Sequence, residues 1–357
     1  MDRIRLKMIG EKRSGPEVGG GNLRRISPAA GVTRRLLLTA LAAGGAALAF
    51  PGAARADVVQ SHPWLLPWVE RDGFDPAWLE RLLAGLTPDK KVLSLMDRQA
   101  EDKPYYEYRK LFLTSRLLSA ARQRLARHKA LLQRLEGIYG VPGAVLVALW
   151  GVESRFGGNT GGFSVLRTLF TLATAYPRRA AFFQDQLREF LLLCREQGWD
   201  PREIEGSYAG AMGQVQMIPT ALRQYGVDFD QDGVKDVFES VDDVLASIAA
   251  YLQGYGWQPG GVISLEATAP AELWTEVENR PLTDTRPVGE WLQAGVVFRQ
   301  PGGSVDPLLP AALIMLAAED GPRYHVTFNN FLVITRWNRS RRFAMVIHEI
   351  TEALSRS

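Results

Sequence analysis

Cysteine is almost missing from this chain: Cys194 is the only one in 357 residues. A single thiol excludes an intrachain disulfide framework and a cysteine-built metal centre. Following three leucines at 191–193, it reads as a core residue. Histidine is scarce too. His62, His128, His325 and His348 are scattered without ligand spacing, so no histidine metal site is indicated. Apolar runs are short; the one at 36–50 is broken by Gly44 and Gly45 and falls below the roughly 20 residues a membrane span needs. Basic excess is missing where it would matter. The net charge of +3 comes from residues 1–56, which hold ten Lys/Arg against three Asp/Glu, and residues 57–357 carry a net −4. That balance gives nucleic acid no electrostatic footprint. Internal repeats and low-complexity linkers are absent as well.

The first of the features that are present is a leader. A basic segment precedes the apolar run, and Ala54, Arg55 and Ala56 form a small-x-small cleavage site. Residues 1–56 therefore read as a cleaved export signal. Arg34 and Arg35 followed by leucines fit either a twin-arginine or a general secretory route. The first residue expected after cleavage is Asp57, so no cysteine is available there for a lipid anchor.

Downstream, the pattern is mostly helical. Asp75 and Pro76 give an N-cap and first-turn proline for a helix through Leu86. One long amphipathic helix is expected over Leu117, Ala121, Leu125, Leu132 and Leu135, ended by Gly137 and Gly140. Pro177 opens another, with Phe183, Leu187, Phe190 and Cys194 inward, and Asp200 with Pro201 repeats the start signal. Ser240 and Asp243 form a capping box for a helix ending near Gly254. Beyond Gly260 the prolines multiply and short β-like runs appear at 261–268, 295–299 and 324–328; helical spacing returns at 330–354.

Three stretches carry chemistry. Residues 141–158, VPGAVLVALWGVESRFGG, are an apolar run ending in one carboxylate, Glu153. Helical spacing puts Leu149, Trp150 and Phe156 beside it. A carboxyl held against such groups loses hydration, which disfavours its charge and suits a general acid near neutral pH. A plain polar helix end is the alternative, and the other stretches decide against it. Residues 206–219, GSYAGAMGQVQMIP, combine small residues, which let backbone approach a ligand, with Ser207, Gln214 and Gln216 as hydrogen-bonding groups. Residues 228–239, DFDQDGVKDVFE, place oxygen ligands Asp228, Asp230, Asp232, Asp236 and Glu239 at positions 1, 3, 5, 9 and 12. Gly233 stands at position 6 and the Val234 carbonyl at position 7, the spacing of an EF-hand calcium loop.

With these, GVESRFG (151–157), YPRRA (176–180), SYAGAMGQVQMIP (207–219) and TRWNRS (335–340) resemble the lytic murein transglycosylase B family, in order and across nearly the whole chain after the leader. The resemblance implies a mainly α (α+β) fold: a lysozyme-like helical catalytic core with an additional α-lobe and a small β-rich lobe. The corresponding division is an α-lobe at 57–140, the core with its EF-hand-like loop at 141–260, the β-lobe at 261–329 and a helical segment at 330–357 packed on the core. It implies cleavage of the MurNAc–GlcNAc β-1,4 bond of peptidoglycan in the periplasm, with Glu153 as acid and then base. The implied substrate-binding residues are Ser207, Gln216, Tyr108, Tyr251, Trp337 and Asn338. Calcium would be structural, with Asp242 competing with Glu239 as last ligand, and no organic cofactor is implied. Two departures stand out: Trp337 and Phe343 occupy positions where members carry tyrosine. A hydrolytic muramidase and an inactive calcium-dependent wall-binding protein are the alternatives. The first would give reducing ends, and the second no products.

Overall fold

The computed structural model describes residues 57–97, 103–278, 280–299 and 305–356; the expected leader lies outside them. Residues 57–84 form one compact unit and the chain from Gly85 onward another. The first unit holds α1 (Asp57–Ser61), α2 (Leu66–Glu70) and α3 (Pro76–Leu83). Asp75 caps α3 as expected, accepting from the Ala77 N–H, but the helix stops at Leu83, before Leu86. Leu79, Leu82 and Leu83 bury its inner face.

The larger unit begins with α4 (Lys90–Asp97), α5 (Tyr105–Arg109), α6 (Ser115–Arg127) and α7 (Lys129–Tyr139). The single amphipathic helix expected over 117–135 is thus two helices. His128 closes α6 and starts α7, its ring edge-on to Trp150 at 6.0 Å, so that both helices can pack on the next one. Helices α6 and α7 join the core directly, and the two compact units divide at residue 85.

The next helix, α8 (Gly143–Ser154), is buried from Val145 to Ser154 on every face, as a helix apolar all round must be. It is wrapped by α6, α7, α12 (Val241–Gly254) and α16 (Arg341–Ser355). Strand β1 (Phe163–Ser164) pairs with β2 (Glu205–Gly206), and α9 (Val165–Ala175) and α10 (Ala180–Gln197) form an antiparallel pair between them. Asp200 and Pro201 make only a turn, in which Asp200 accepts from the Arg202 N–H; α11 (Pro219–Tyr225) follows after the 206–217 loops.

The β-lobe is a five-stranded antiparallel sheet in the order β4-β6-β7-β3-β5, with strands β3 (Ser264–Thr268), β4 (Arg286–Pro287), β5 (Val297–Phe298), β6 (Pro310–Ala318) and β7 (Gly321–Thr327). Helices α13 (Leu273–Glu278) and α14 (Val288–Gln293) interrupt it, and Trp291 with Val296, Leu313, Tyr324 and Val326 fills its core. The longest strand, β6, lies outside the β-like runs of the sequence. Finally α15 (Asn329–Trp337) and α16 return the chain to α8. No single helix among the described residues is long and apolar enough to cross a membrane.

Candidate active site

Glu153 sits one residue before the end of α8 and is 4% exposed. The helix ends abruptly because Arg155 (φ 54°) and Phe156 (φ 61°) both take left-handed backbone, a conformation costing roughly 1 kcal/mol or more per non-glycine residue. Such strain persists only where the surroundings dictate it. Here the turn is closed by Arg155 N–H to Gly151 O at 3.1 Å and Gly157 N–H to Ser154 Oγ at 3.0 Å. Phe156 consequently does not stand beside Glu153 as helical spacing suggested. Its ring folds back over Gly151, where a Cβ would meet it at 2.7 Å, and lies edge-on to Trp150 at 5.2 Å. The Arg124 guanidinium covers that ring at 4.2 Å.

A partner of Glu153 comes from the far end of the chain. Trp337, the last residue of α15 and 5% exposed, donates its indole N–H to Glu153 Oε1 at 2.9 Å. Tyr251 from α12 packs edge-on against the indole at 4.7 Å and donates its hydroxyl to the Arg336 carbonyl at 2.7 Å. Tyr108 from α5 is buried beneath the Arg342 guanidinium, 5.4 Å from its ring. Burial first, and then the Glu153 charge, push the Tyr108 phenol above its usual value, with Arg342 opposing. So Tyr108, Tyr251 and Trp337 gather at Glu153. Asn338 is buried next to Trp337, and its side-chain oxygen is sealed from solvent without a protein hydrogen-bond partner. A buried acceptor left that way calls for a ligand or water.

The glycine-rich loops form a neighbouring wall. Ser207 Oγ accepts from the N–H groups of Ala209 (3.3 Å) and Ala211 (3.0 Å), which leaves its hydroxyl hydrogen to donate elsewhere. Gln216, in left-handed backbone at φ 54°, gives its amide hydrogens to the Thr160 and Gly213 carbonyls, both at 2.7 Å. Those hydrogens brace the loops. A groove of about 330 Å³ runs along residues 157–163, Ser207 and Tyr208. Gly161 (φ 94°) lets this loop pass against the Gly206 carbonyl, where any Cβ would collide.

Gln214, whose individual role the sequence left open, is a strut. Its Oε1 accepts the Trp150 indole N–H at 2.8 Å, its Nε2 donates to Phe238 O at 2.7 Å, and its own N–H reaches Val237 O at 2.8 Å. This joins α8 to the acidic loop. In that loop Asp228, Asp230 and Asp232 bring carboxylate oxygens within 4.8 Å of one another. Backbone N–H groups of Asp232, Gly233 and Val234 point at these same carboxylates, and Gly233 turns at φ 96°. Asp236, Glu239 and Asp242 are not part of the triad. Asp236 accepts from Phe238 and Glu239 N–H, while Asp242 sits in the first turn of α12. An EF-hand's twelfth ligand projects from its exit helix, but α12 starts only at Val241, after Glu239. The residue that reaches back is Asp243, fully buried, accepting from Phe229 N–H at 2.7 Å and Asp236 N–H at 2.8 Å. The capping box signal marked it, but for the wrong partner: Ser240 does cap Asp243 N–H, whereas the carboxylate holds the loop. Three hard oxygen donors in a turn of this shape fit calcium.

Residues 64–352 match the family described as Transglycosylase SLT domain. The chain is 33% identical over 297 residues to membrane-bound lytic murein transglycosylase B of Escherichia coli, covering 80% of each. Its fold matches the E. coli lytic transglycosylase Slt35 in complex with calcium, at TM-score 0.74 and 31% identity, over 86% of this chain and 94% of that one. It also matches SltB3 of Pseudomonas aeruginosa in complex with NAG-anhNAM-pentapeptide, at TM-score 0.72 and 33% identity, over 84% and 78%. With the lysozyme-like helical core, the buried carboxylate and the flanking loops in place, the chain belongs to the transglycosylase SLT family and is a peptidoglycan lytic transglycosylase.

Proposed function

We propose that this enzyme breaks the MurNAc–GlcNAc β-1,4 bond without water and leaves 1,6-anhydroMurNAc ends, with Glu153 as the single acid and base. The observation that carries the reading is a buried carboxyl bonded by the Trp337 indole, with Tyr251 packed on that indole and Tyr108 close enough to feel the carboxyl's charge. Most glycoside hydrolases pair two carboxylates. Here the conspicuous carboxylate group, Asp228, Asp230 and Asp232, is committed to its own loop.

Glu153 gives its proton to the glycosidic oxygen as the C1–O4 bond breaks. The 2-acetamido oxygen of MurNAc supports the positive charge at C1. Glu153, now a carboxylate, takes the proton of the C6 hydroxyl, and O6 closes on C1. The proton count balances and no water enters. Ring closure within one sugar has an entropic advantage over capture of water. The Ser207 hydroxyl is suited to holding the acetamido and hydroxyl groups near that bond, and Asn338 is a further substrate-binding candidate next to Trp337. Gln216 serves this indirectly, by holding the groove wall. The anhydro sugar bound by the SltB3 relative is consistent with such a product.

Calcium belongs to the same proposal, held by Asp228, Asp230 and Asp232 with the Val234 carbonyl, as a structural ion. Of the remaining candidates, Asp236, Glu239 and Asp242, each would have to turn toward the triad to join. Export by residues 1–56 would bring the enzyme to its wall substrate in the periplasm.

Digestion of purified sacculi in ¹⁸O-water tests the reaction. Unlabelled anhydro ends are expected. Label at the new MurNAc C1 would establish a hydrolytic muramidase instead, and absence of any product would leave a wall-binding protein.

A further inference from the structure

We propose that Trp337 is a positioning residue that assigns the acid proton of Glu153 to Oε2, by holding Oε1 permanently as a hydrogen-bond acceptor. The inference rests on Glu153 being the acid and base of the reaction. An indole N–H can only donate. At 2.9 Å from Oε1 it is satisfied whether the carboxyl is charged or neutral, provided that Oε1 is the carbonyl oxygen of the neutral form. A carboxylic hydroxyl oxygen is the poorer acceptor, so the proton rides on Oε2. Both residues are nearly sealed, and water has little access to compete for the bond.

The indole is itself held. Tyr251 packs edge-on against it and is anchored to the Arg336 carbonyl, one residue earlier in the chain. Helix α15 stops at Trp337, and Asn338 leaves in extended backbone with its N–H on the Ile334 carbonyl at 3.3 Å. The reaction requires one oxygen to deliver a proton to the leaving group and later take one from the C6 hydroxyl. A carboxyl free to protonate on either oxygen would spend part of its time with the proton on the wrong side. Trp337 thus serves the reaction through Glu153, a role distinct from sugar stacking.

The bond also favours the charged form, since a donor binds a carboxylate more tightly than a neutral acid. Replacing Trp337 with benzothienylalanine keeps the ring's shape and removes only the N–H. The alkaline limb of kcat/KM, which follows loss of the Glu153 proton, is then expected to move up by about one pH unit. Trp337→Phe should shift the limb in the same direction with a larger fall in rate. A pure stacking role would lower the rate equally at all pH and leave the limb in place, and that outcome overturns the proposal.

A second readout does not depend on turnover. In ¹H–¹⁵N spectra, the indole signal missing from Trp337→Phe identifies Trp337 among nine tryptophans. It should titrate with pH in the wild type and stop titrating in Glu153→Gln. An indole signal unmoved by pH in the wild type overturns the positioning role even if the enzyme is active. A titrating signal with inactive protein would overturn the catalytic reading alone.

Discussion

Glu153 is a single ionisable group at the end of a helix whose other buried positions are committed to the core. Glu153→Gln keeps volume and can still accept the Trp337 N–H through its amide oxygen, but it cannot cycle a proton. Lysis of sacculi should fall by about 10²-fold or more, while the melting temperature stays close to wild type. Near-normal turnover would remove Glu153 from the mechanism. Gln214 tests structure at the same scale. In Gln214→Leu the Trp150 N–H and Phe238 carbonyl lose their partners in a buried setting. A loss of about 2 kcal/mol or more in denaturant unfolding is expected; unchanged stability would mean that water replaces the strut. Glu153 was legible because an apolar run stopping at one acid is unusual chemistry. Its donor was not. The resemblance implies Trp337 only as a substrate-binding residue, and nothing in linear order tells which role a ring adopts 184 positions away. Gln216 shows the reverse, a residue matched to substrate whose amide hydrogens are spent on backbone.

Elements were legible where local signals and tertiary packing agree. The caps at Asp75 and Ser240 did so. Strand β6 did not, since Ala, Leu and Met favour helix and it is pairing along β7, and with β4 at one end, that extends them. The break at His128 was equally silent, for α6 and α7 share one hydrophobic period and are separated by the need to wrap α8. The acidic loop is the element most exposed to test. Three carboxylates within 4.8 Å repel without a cation, so calcium should raise the melting temperature and a chelator should lower it. Asp228→Asn with Asp230→Asn should abolish that response. Asp243→Ala should lower stability with or without calcium, because the Phe229 and Asp236 N–H groups lose their acceptor. A melting curve indifferent to calcium and chelator would sink the structural-ion reading.

Across the whole larger unit, two histidines, His325 buried and His348 half-buried, make stability depend on pH. His325 lies within β7, paired to both β3 and β6, with Ser264 Oγ 3.3 Å from its Nδ1. Burial first, then His348 and Arg323, push it down to about 3. His348 on α16 is lowered too, by burial, against the opposing pull of Glu352 and Glu349 and with Arg356 adding to the shift. In the unfolded chain both would titrate at about 6.5. Above that value both states are neutral at these positions, and no penalty arises. As pH falls below it, the unfolded chain takes up protons that the fold refuses, so stability declines. For His325 the decline continues down to about 3, at up to roughly 1.4 kcal/mol per pH unit. The melting temperature should therefore drop clearly between pH 7.5 and pH 4.5. His325→Gln, which keeps a polar group for Ser264 without the titration, should drop less over the same interval. The comparison removes the carboxylates from the answer, since their contribution is common to both proteins. Equal slopes would place the acid sensitivity elsewhere in the chain, and a wild-type curve flat from pH 7.5 to 4.5 would show that neither imidazole limits the fold.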